Sequence, residues 1–226
     1  EPLRRANILI HTAALKQVPN CEIAPFEAIK TNILGTQNLL YAISSLSDSS
    51  QLETVIGIST DKACKPINAM GMTKALQEKI LTVFNARQEL PRIVCVRYGN
   101  ILASRSSVIP FFKELALQAN VLPITSTDMT RFLLSLNTGV DTIFSAIGHG
   151  LPGEILVPHV ISASMHDLVN LFCSKYNVKS IITGLRVGEK IHEILISEEE
   201  IPHTYNTEEG LFAISPRYKD YNNVVT

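Results

Sequence analysis

The sequence predicts an α/β chain: half of a doubly wound parallel sheet, followed by a smaller α/β lobe. Three observations carry this. Runs that are apolar without polar alternation, over 6–11, 54–59 and 92–97, read as strands buried on both faces. The stretches between them place apolar residues at helical offsets. Beyond Tyr98 the strand-like runs become short, and Pro123, Gly150, Pro152, Gly153 and Gly184 punctuate the joins.

The first strand (ANILIH) leads through TAALKQVP into a helix over about 25–45, where Phe26, Ile29, Ile33, Leu39, Leu40 and Ile43 recur at mostly helical spacing. The polar run SLSDSS closes it, and TVIGIS forms the second strand. A helix over about 69–87 and the strand RIVCVR follow. Strands alternating with amphipathic helices make parallel crossovers, so the segments after each strand gather at one edge of the sheet, where such folds bind ligands. In the lobe, helices are expected over 107–119, 137–149, 164–175 and 190–195, between the strand-like pieces VLPIT, EILVP, SIITG and LFAIS.

Composition narrows the function classes. Of 226 residues, 46% are hydrophobic and 18% charged, ample apolar content for a packed core. Twenty basic and twenty-one acidic residues leave a net charge of -1, with no electrostatic footprint for nucleic acid or an anionic membrane. No stretch approaches the roughly 20 apolar residues of a spanning helix, and no signal peptide is evident; a cytoplasmic location is expected. Cys21, Cys64, Cys95 and Cys173 form no CxxC pair, so they read as reduced thiols rather than disulfides or zinc ligands. The histidines form no ligand pair, and no metal site is expected. The chain opens at Glu1 without a methionine, which reads as a start after a processed leader or inside a domain.

Two stretches carry chemistry. Ser59-Thr60-Asp61-Lys62 ends the second strand, and Met70-Gly71-Met72-Thr73-Lys74 opens the next helix. Residues four apart share a helix face, so Met70 and Lys74 point the same way. A lysine there can hold a cofactor ribose hydroxyl. Taken alone it is more often a solvated charge, and an Asp-Lys pair is often an ordinary strand-end turn.

The combination is more specific. IHTAALKQVPNCEIAPFEAIKTNILGTQNLL, ISTDKACKPINAMGMTKALQEK, VRYGNILASRSSVIPFF, DMTRFLLSL and GLRVGEKIHEIL occur in this order. From Ile8 to about Ser215 the chain closely resembles the bacterial UDP-N-acetylglucosamine 4,6-dehydratases of the polysaccharide-biosynthesis family, a branch of the extended short-chain dehydrogenase/reductases. The resemblance implies an incomplete Rossmann-like sheet. Residues 1–100 would be the latter half of a dinucleotide-binding domain. Residues 101–226 would be mainly a nucleotide-sugar lobe, with elements that return to the sheet.

The resemblance also implies a reaction. A nicotinamide cofactor, NADP with NAD as the alternative, takes hydride from sugar carbon 4 and returns it to carbon 6. Lys62 matches the base for the carbon 5 proton, and Asp61 the acid that helps the 6-hydroxyl leave. Thr60 would bond the 4-hydroxyl and Lys74 the nicotinamide ribose. An acid and a base with different pKa values side by side suit this chemistry. Ala13, Ala14, Lys16, Asn32 and Tyr98 match the cofactor side, although close packing explains the two alanines equally well. Asn100, Ser107 and Val108 match nucleotide-sugar contacts, and Arg131, Arg186 and Glu189 match diphosphate and ribose contacts, where the planar guanidinium suits phosphate.

The chain departs from the wider superfamily at Met70, where most members have tyrosine. A thioether cannot accept the 4-hydroxyl proton. The branch it resembles most shares the methionine, and Lys62, Asp61 or a water relay remain as acceptors. Ser106 stands where glycine is usual, which costs free energy if the position needs positive φ. No GxxGxxG turn occurs, so the strand–turn–helix that holds a pyrophosphate is not within these residues, and a sheet edge is left open. Three accounts follow: part of an authentic dehydratase, a non-catalytic nucleotide-sugar-binding or scaffold protein, or a chain completed by a separate one. A UDP-sugar is the expected partner, with homo-oligomer formation and no nucleic acid.

Overall fold

The computed structural model describes residues 2–46, 50–85, 91–102 and 107–216. In chain order, β1 (Ile8–His11) is followed by a short α1 (Val18–Ile23) and then α2 (Pro25–Ala28), which passes through a π-helical stretch (Ile29–Leu34) into α3 (Gly35–Ser44). Next come β2 (Thr54–Thr60), α4 (Ala69–Phe84), β3 (Arg92–Tyr98), the two-residue β4 (Asn100–Ile101) and α5 (Val108–Gln118). The second half holds β5 (Val121–Ile124), β6 (Thr130–Leu134), α6 (Leu136–His149), β7 (Ile155–Pro158), β8 (Ile161–Ser164), α7 (Met165–Tyr176), β9 (Lys179–Ile182), β10 (Thr204–Asn206) and β11 (Leu211–Ile214).

The main sheet has the order β1-β2-β3-β7-β11-β10. The first four strands are parallel, in register through Ile10, Ile56 and Val94. The last two add antiparallel. Continuous apolarity in β2 and β3 follows from burial on both faces. Val55, Ile93 and Cys95 pack under α3 and α4 with Leu40, Ile43 and Leu81. Ile56, Val94 and Val96 face the other way, onto Ala146 of α6. Each such aliphatic side chain contributes roughly 1.5–3 kcal/mol. A separate core of Phe112, Leu122, Ile124, Met129, Met165 and Val169 joins α5, β5 and α7.

Several expectations are corrected. The connection TAALKQVP runs into α1, which starts at Val18 with a proline in its first turn. The helix expected over 190–195 does not form. Its carbonyls bond elsewhere: Lys190 and Ile191 to the Arg131 guanidinium, Ile191 also to Thr130 N, and Leu195 to Arg97. The helix expected over 25–45 is present but carries a π turn that periodicity does not reveal. Short strands β4, β6, β8 and β10 were not expected; β4, β6 and β8 form a three-stranded sheet of their own. The helix read as reaching 87 ends at Phe84. Ser106 and residues 86–90 lie outside the described residues. Cys21, Cys64 and Cys95 are buried free thiols and Cys173 is half-buried. No helix among the described residues is long and apolar enough to cross a membrane.

Candidate active site

A cleft of about 980 Å³ opens where β1, β2 and β3 end, walled opposite by the first turn of α5, by β5 and by the segment carrying Arg186 and Glu189. Parallel strands whose helices leave on either face create such a crevice at their carboxyl ends.

At the end of β2, Thr60 caps a single 3₁₀ turn over Asp61–Ala63, accepting from Lys62 N at 3.4 Å. The turn buries Asp61 completely and leaves Lys62 on the cleft wall. Asp61 Oδ1 accepts from Thr60 Oγ1 and from Lys62 Nζ, each at 2.9 Å. Its Oδ2 is buried without a partner. Lys62 Nζ also lies 3.5 Å from Asn100 Oδ1 and 3.5 Å from Glu193 Oε1. Glu193, buried and 3.4 Å from Lys190 Nζ, is a site residue that the sequence reading missed. It stands inside GLRVGEKIHEIL, yet nothing in its spacing points toward Lys62.

The start of α4 is clamped against this turn. Asn68 Oδ1 accepts from Gly71 N at 2.7 Å, and its Nδ2 donates to Gly188 O at 2.7 Å. A Cβ on Gly71 would collide with the Lys62 carbonyl oxygen, so glycine permits the approach. Gly188 sits at φ +80, the left-handed region that favours glycine. Met70 is buried against Cys21 and Ala28. Lys74 lines the cleft and donates to Ile58 O at 2.5 Å and to Gln77 Oε1. Burial lowers the Lys74 ammonium to about 8, with Cys95 and Glu78 acting in the opposite direction. Asn32, fully buried in the π stretch, bonds Leu15 N at 2.8 Å, Leu15 O at 3.1 Å and Thr73 Oγ1 at 2.9 Å. It thereby fixes the segment after β1 against α4.

Across the cleft, Ser107 precedes α5 and makes no capping hydrogen bond; its Oγ is buried and unpartnered. The first turn of α5 carries no acidic residue, so its free N–H groups favour an anion. Arg131 lines the cleft while its guanidinium holds Thr130 O, Ile191 O and Lys190 O at 2.7–3.1 Å. Three of its five N–H donors are thus bound to backbone. Arg186 N donates to Glu189 Oε2 at 3.3 Å. Of the residues singled out from sequence, Thr60, Lys62, Lys74, Ala14, Lys16, Tyr98, Asn100, Ser107, Val108, Arg131, Arg186 and Glu189 line this one cleft. Ala13, Asn32 and Asp61 do not: Ala13 is exposed beside it, and the other two lie behind its wall.

The donor set fits the ribose end of a nicotinamide dinucleotide, because a buried ammonium with acceptors on its protein side lines the cleft beside the end of β1. Residues to hold the pyrophosphate are not among those described. The model of a family described as polysaccharide biosynthesis proteins matches residues 2–215. The chain belongs to this family.

A UDP-N-acetylglucosamine 4,6-dehydratase (inverting) from Campylobacter jejuni is 41% identical over 220 residues, covering 96% of this family member and 64% of the relative. A UDP-glucose 4-epimerase from Rickettsia conorii is 45% identical over 208 residues, covering 89% and 59%. The chain therefore spans about three fifths of the length of these relatives. Among solved structures, Pen from Bacillus thuringiensis superposes with TM-score 0.85 at 30% identity, over 92% of this chain and 64% of that one. A dTDP-glucose 4,6-dehydratase from Streptomyces venezuelae, solved with NAD, shares the fold with TM-score 0.77 at 18% identity, over 88% and 67%.

Proposed function

We propose that this family member carries the sugar-nucleotide and acid–base half of an NADP-dependent UDP-N-acetylglucosamine 4,6-dehydratase, with NAD the alternative carrier. The observation that supports it most directly is the Thr60–Asp61–Lys62 cluster, held in the wall of the cleft that also exposes Arg131 and Arg186. A nicotinamide cofactor, when bound, accepts hydride from carbon 4 and delivers it to carbon 6.

The chain's own residues manage the protons. The 4-hydroxyl gives its proton to Thr60 Oγ1, which passes its own to Asp61 Oδ1. This relay supplies the acceptor that Met70 cannot be. Lys62 Nζ, as the uncharged amine, removes the proton from carbon 5, which the carbon 4 ketone has acidified. Asp61 then returns its proton through Thr60 to the 6-hydroxyl, which leaves as water. Carbon 5 takes a solvent proton as carbon 6 is reduced, and Lys62 releases to solvent the proton it removed. The 4-hydroxyl proton thus departs in the water, and the product is a 4-keto-6-deoxy sugar nucleotide. Routing through Thr60 follows from burial, since Asp61 itself does not line the cleft.

Ser107, the first turn of α5, Arg131 and Arg186 would hold the diphosphate. Asn100, Val108 and Glu189 would meet sugar and ribose, and Lys74, Lys16, Ala14 and Tyr98 the cofactor side. The inverting relative supports proton return to the opposite face of carbon 5. Assembly with further copies of the chain and a cytoplasmic location belong to the same reading.

The experiment is incubation of the full-length protein with UDP-N-acetylglucosamine and NADP in deuterated water. Loss of water, a 4-keto product and deuterium at carbon 5 are expected; Lys62→Ala abolishes the carbon 5 exchange. Deuterium incorporation that persists in that variant removes Lys62 as the base. The Rickettsia relative favours a second reading, 4-epimerisation, which would yield a sugar epimer with no water lost. Binding of UDP-N-acetylglucosamine without any bound nicotinamide would instead identify a non-catalytic nucleotide-sugar-binding protein.

A further inference from the structure

The scheme above gives Glu193 no task, although its carboxylate meets the Lys62 nitrogen from behind the cleft wall. Glu193 is buried and does not line the cleft. One of its oxygens lies 3.5 Å from Lys62 Nζ. The other lies 3.4 Å from Lys190 Nζ, which also donates to Cys64 O at 2.8 Å.

The segment that carries Glu193 is fixed on both sides. Before it, Lys190 O and Ile191 O accept from the Arg131 guanidinium, Ile191 O also accepts from Thr130 N, and His192 Nδ1 lies 2.8 Å from Thr130 Oγ1. After it, Leu195 O accepts from Arg97 at 2.8 Å. Lys62 by contrast is a flexible stem with a polar tip. Of its other two partners, Asp61 sits on the same 3₁₀ turn, and Asn100 lines the cleft, where a bound sugar would compete for its amide.

We propose that Glu193 is a positioning residue that aims the Lys62 nitrogen at carbon 5 of the sugar. An uncharged amine has two N–H groups. Charged oxygens hold such donors better than a neutral amide does, so the two are directed at Asp61 Oδ1 and Glu193 Oε1, both behind the wall. The lone pair takes the remaining direction, on the side of Asn100 and the cleft. Glu193 acts through Lys62 and touches neither sugar nor cofactor. The consequence for carbon 5 rests on the dehydratase reading; the anchoring of Lys62 does not.

Charge and position act in opposite senses here, which makes the role testable. A carboxylate beside an amine favours the protonated form, so a variant that lost only this charge would leave the base as effective, or more so. Glu193→Met fills similar space without an acceptor. In the full-length protein it should slow deuterium exchange at carbon 5 about 10- to 100-fold, the cost of a base displaced by roughly 1 Å. KM for UDP-N-acetylglucosamine should stay unchanged. Hydride transfer from carbon 4, read as reduced nicotinamide, should keep its rate, because that step does not use Lys62. Exchange at the unaltered rate or faster overturns the proposal. So does an equal slowing of both steps, which marks a merely structural role.

A second readout needs neither substrate nor cofactor. ¹³C relaxation should find the Lys62 ε-methylene ordered in the unaltered protein and mobile in Glu193→Met. A mobile Lys62 in the unaltered protein overturns the proposal whether or not the variant folds, and equal order in the two proteins overturns it as well. Absence of a 4-keto product from the unaltered protein would sink the dehydratase reading and leave this measurement standing, so the two fail separately.

Discussion

Lys62 shows how much of the site rests on single side chains. Its single side-chain nitrogen gathers Asp61, Asn100 and Glu193, three groups contributed by three separate segments. The sequence pointed to Lys62 and Asp61 because they are adjacent and sit in a strand-end string. It did not point to Glu193, because contact across the fold leaves no periodic trace. Arg186 is the simplest residue-scale test. It is exposed, lines the cleft and anchors no secondary element. Arg186→Ala should weaken UDP-N-acetylglucosamine binding about 10- to 100-fold, the loss of a charge-assisted hydrogen bond, measured by calorimetry. Unchanged affinity would take Arg186 out of the site.

Among the elements, α4 departs most from what its pattern dictates. A helix that covers a sheet normally buries an apolar stripe. The buried face of α4 instead carries Thr73, Lys74, Gln77 and Glu78 between Met70 and Leu81. Local rules fail where function imposes its own requirements. Burying four polar side chains is tolerable only because each has a partner: Asn32, Ile58 O, His11 and Arg97 among them. Asn68 starts this helix and ties it to the segment carrying Arg186 and Glu189 through Gly188 O. Asn68→Ala should destabilise the protein by about 1–2 kcal/mol in urea unfolding. A full-strength melt in this variant would show that the cap and tether contribute nothing. The absent helix over 190–195 has the same origin, since Arg131 and Arg97 capture its carbonyls.

At the scale of the molecule, the C-terminal segment is fastened to the sheet by Arg97. This buried residue of β3 pairs Glu78 of α4 and Glu200, and donates to Leu195 O at 2.8 Å. Removing one member of a buried ion network leaves the others uncompensated, so Arg97→Met should cost about 3–5 kcal/mol. Burial alone would raise Glu200, but hydrogen bonding and the charge of Arg97 outweigh it and hold the carboxyl below its ordinary value. A carboxyl depressed in the folded state contributes stability that is complete above its unfolded value, about 4.5, and is lost as pH falls through the lower folded value. Thermal melts should therefore drop on acidification below about 4.5, and drop less in Glu200→Gln. An equal acid loss in that variant would place the sensitivity elsewhere. On the opposite side of the sheet, β1 pairs only β2 among the described strands, and Ile8 and Ile10 are 44% and 45% exposed.

The amino-acid order alone determined the alternation of parallel strands and helices, the positions of the two strings that end β2 and open α4, and the family. These are properties of neighbours along the chain, where periodicity of two or 3.6 residues and contiguous motifs record which face is buried. Tertiary structure decided the rest. It turned Asp61 inward behind Thr60, brought Glu193 to Lys62, joined His11 to Lys74 through Gln77, and unwound 190–195. Each depends on which groups meet across the fold, and the free energy of a buried polar group is set by the partner it finds in space rather than by its neighbours in sequence.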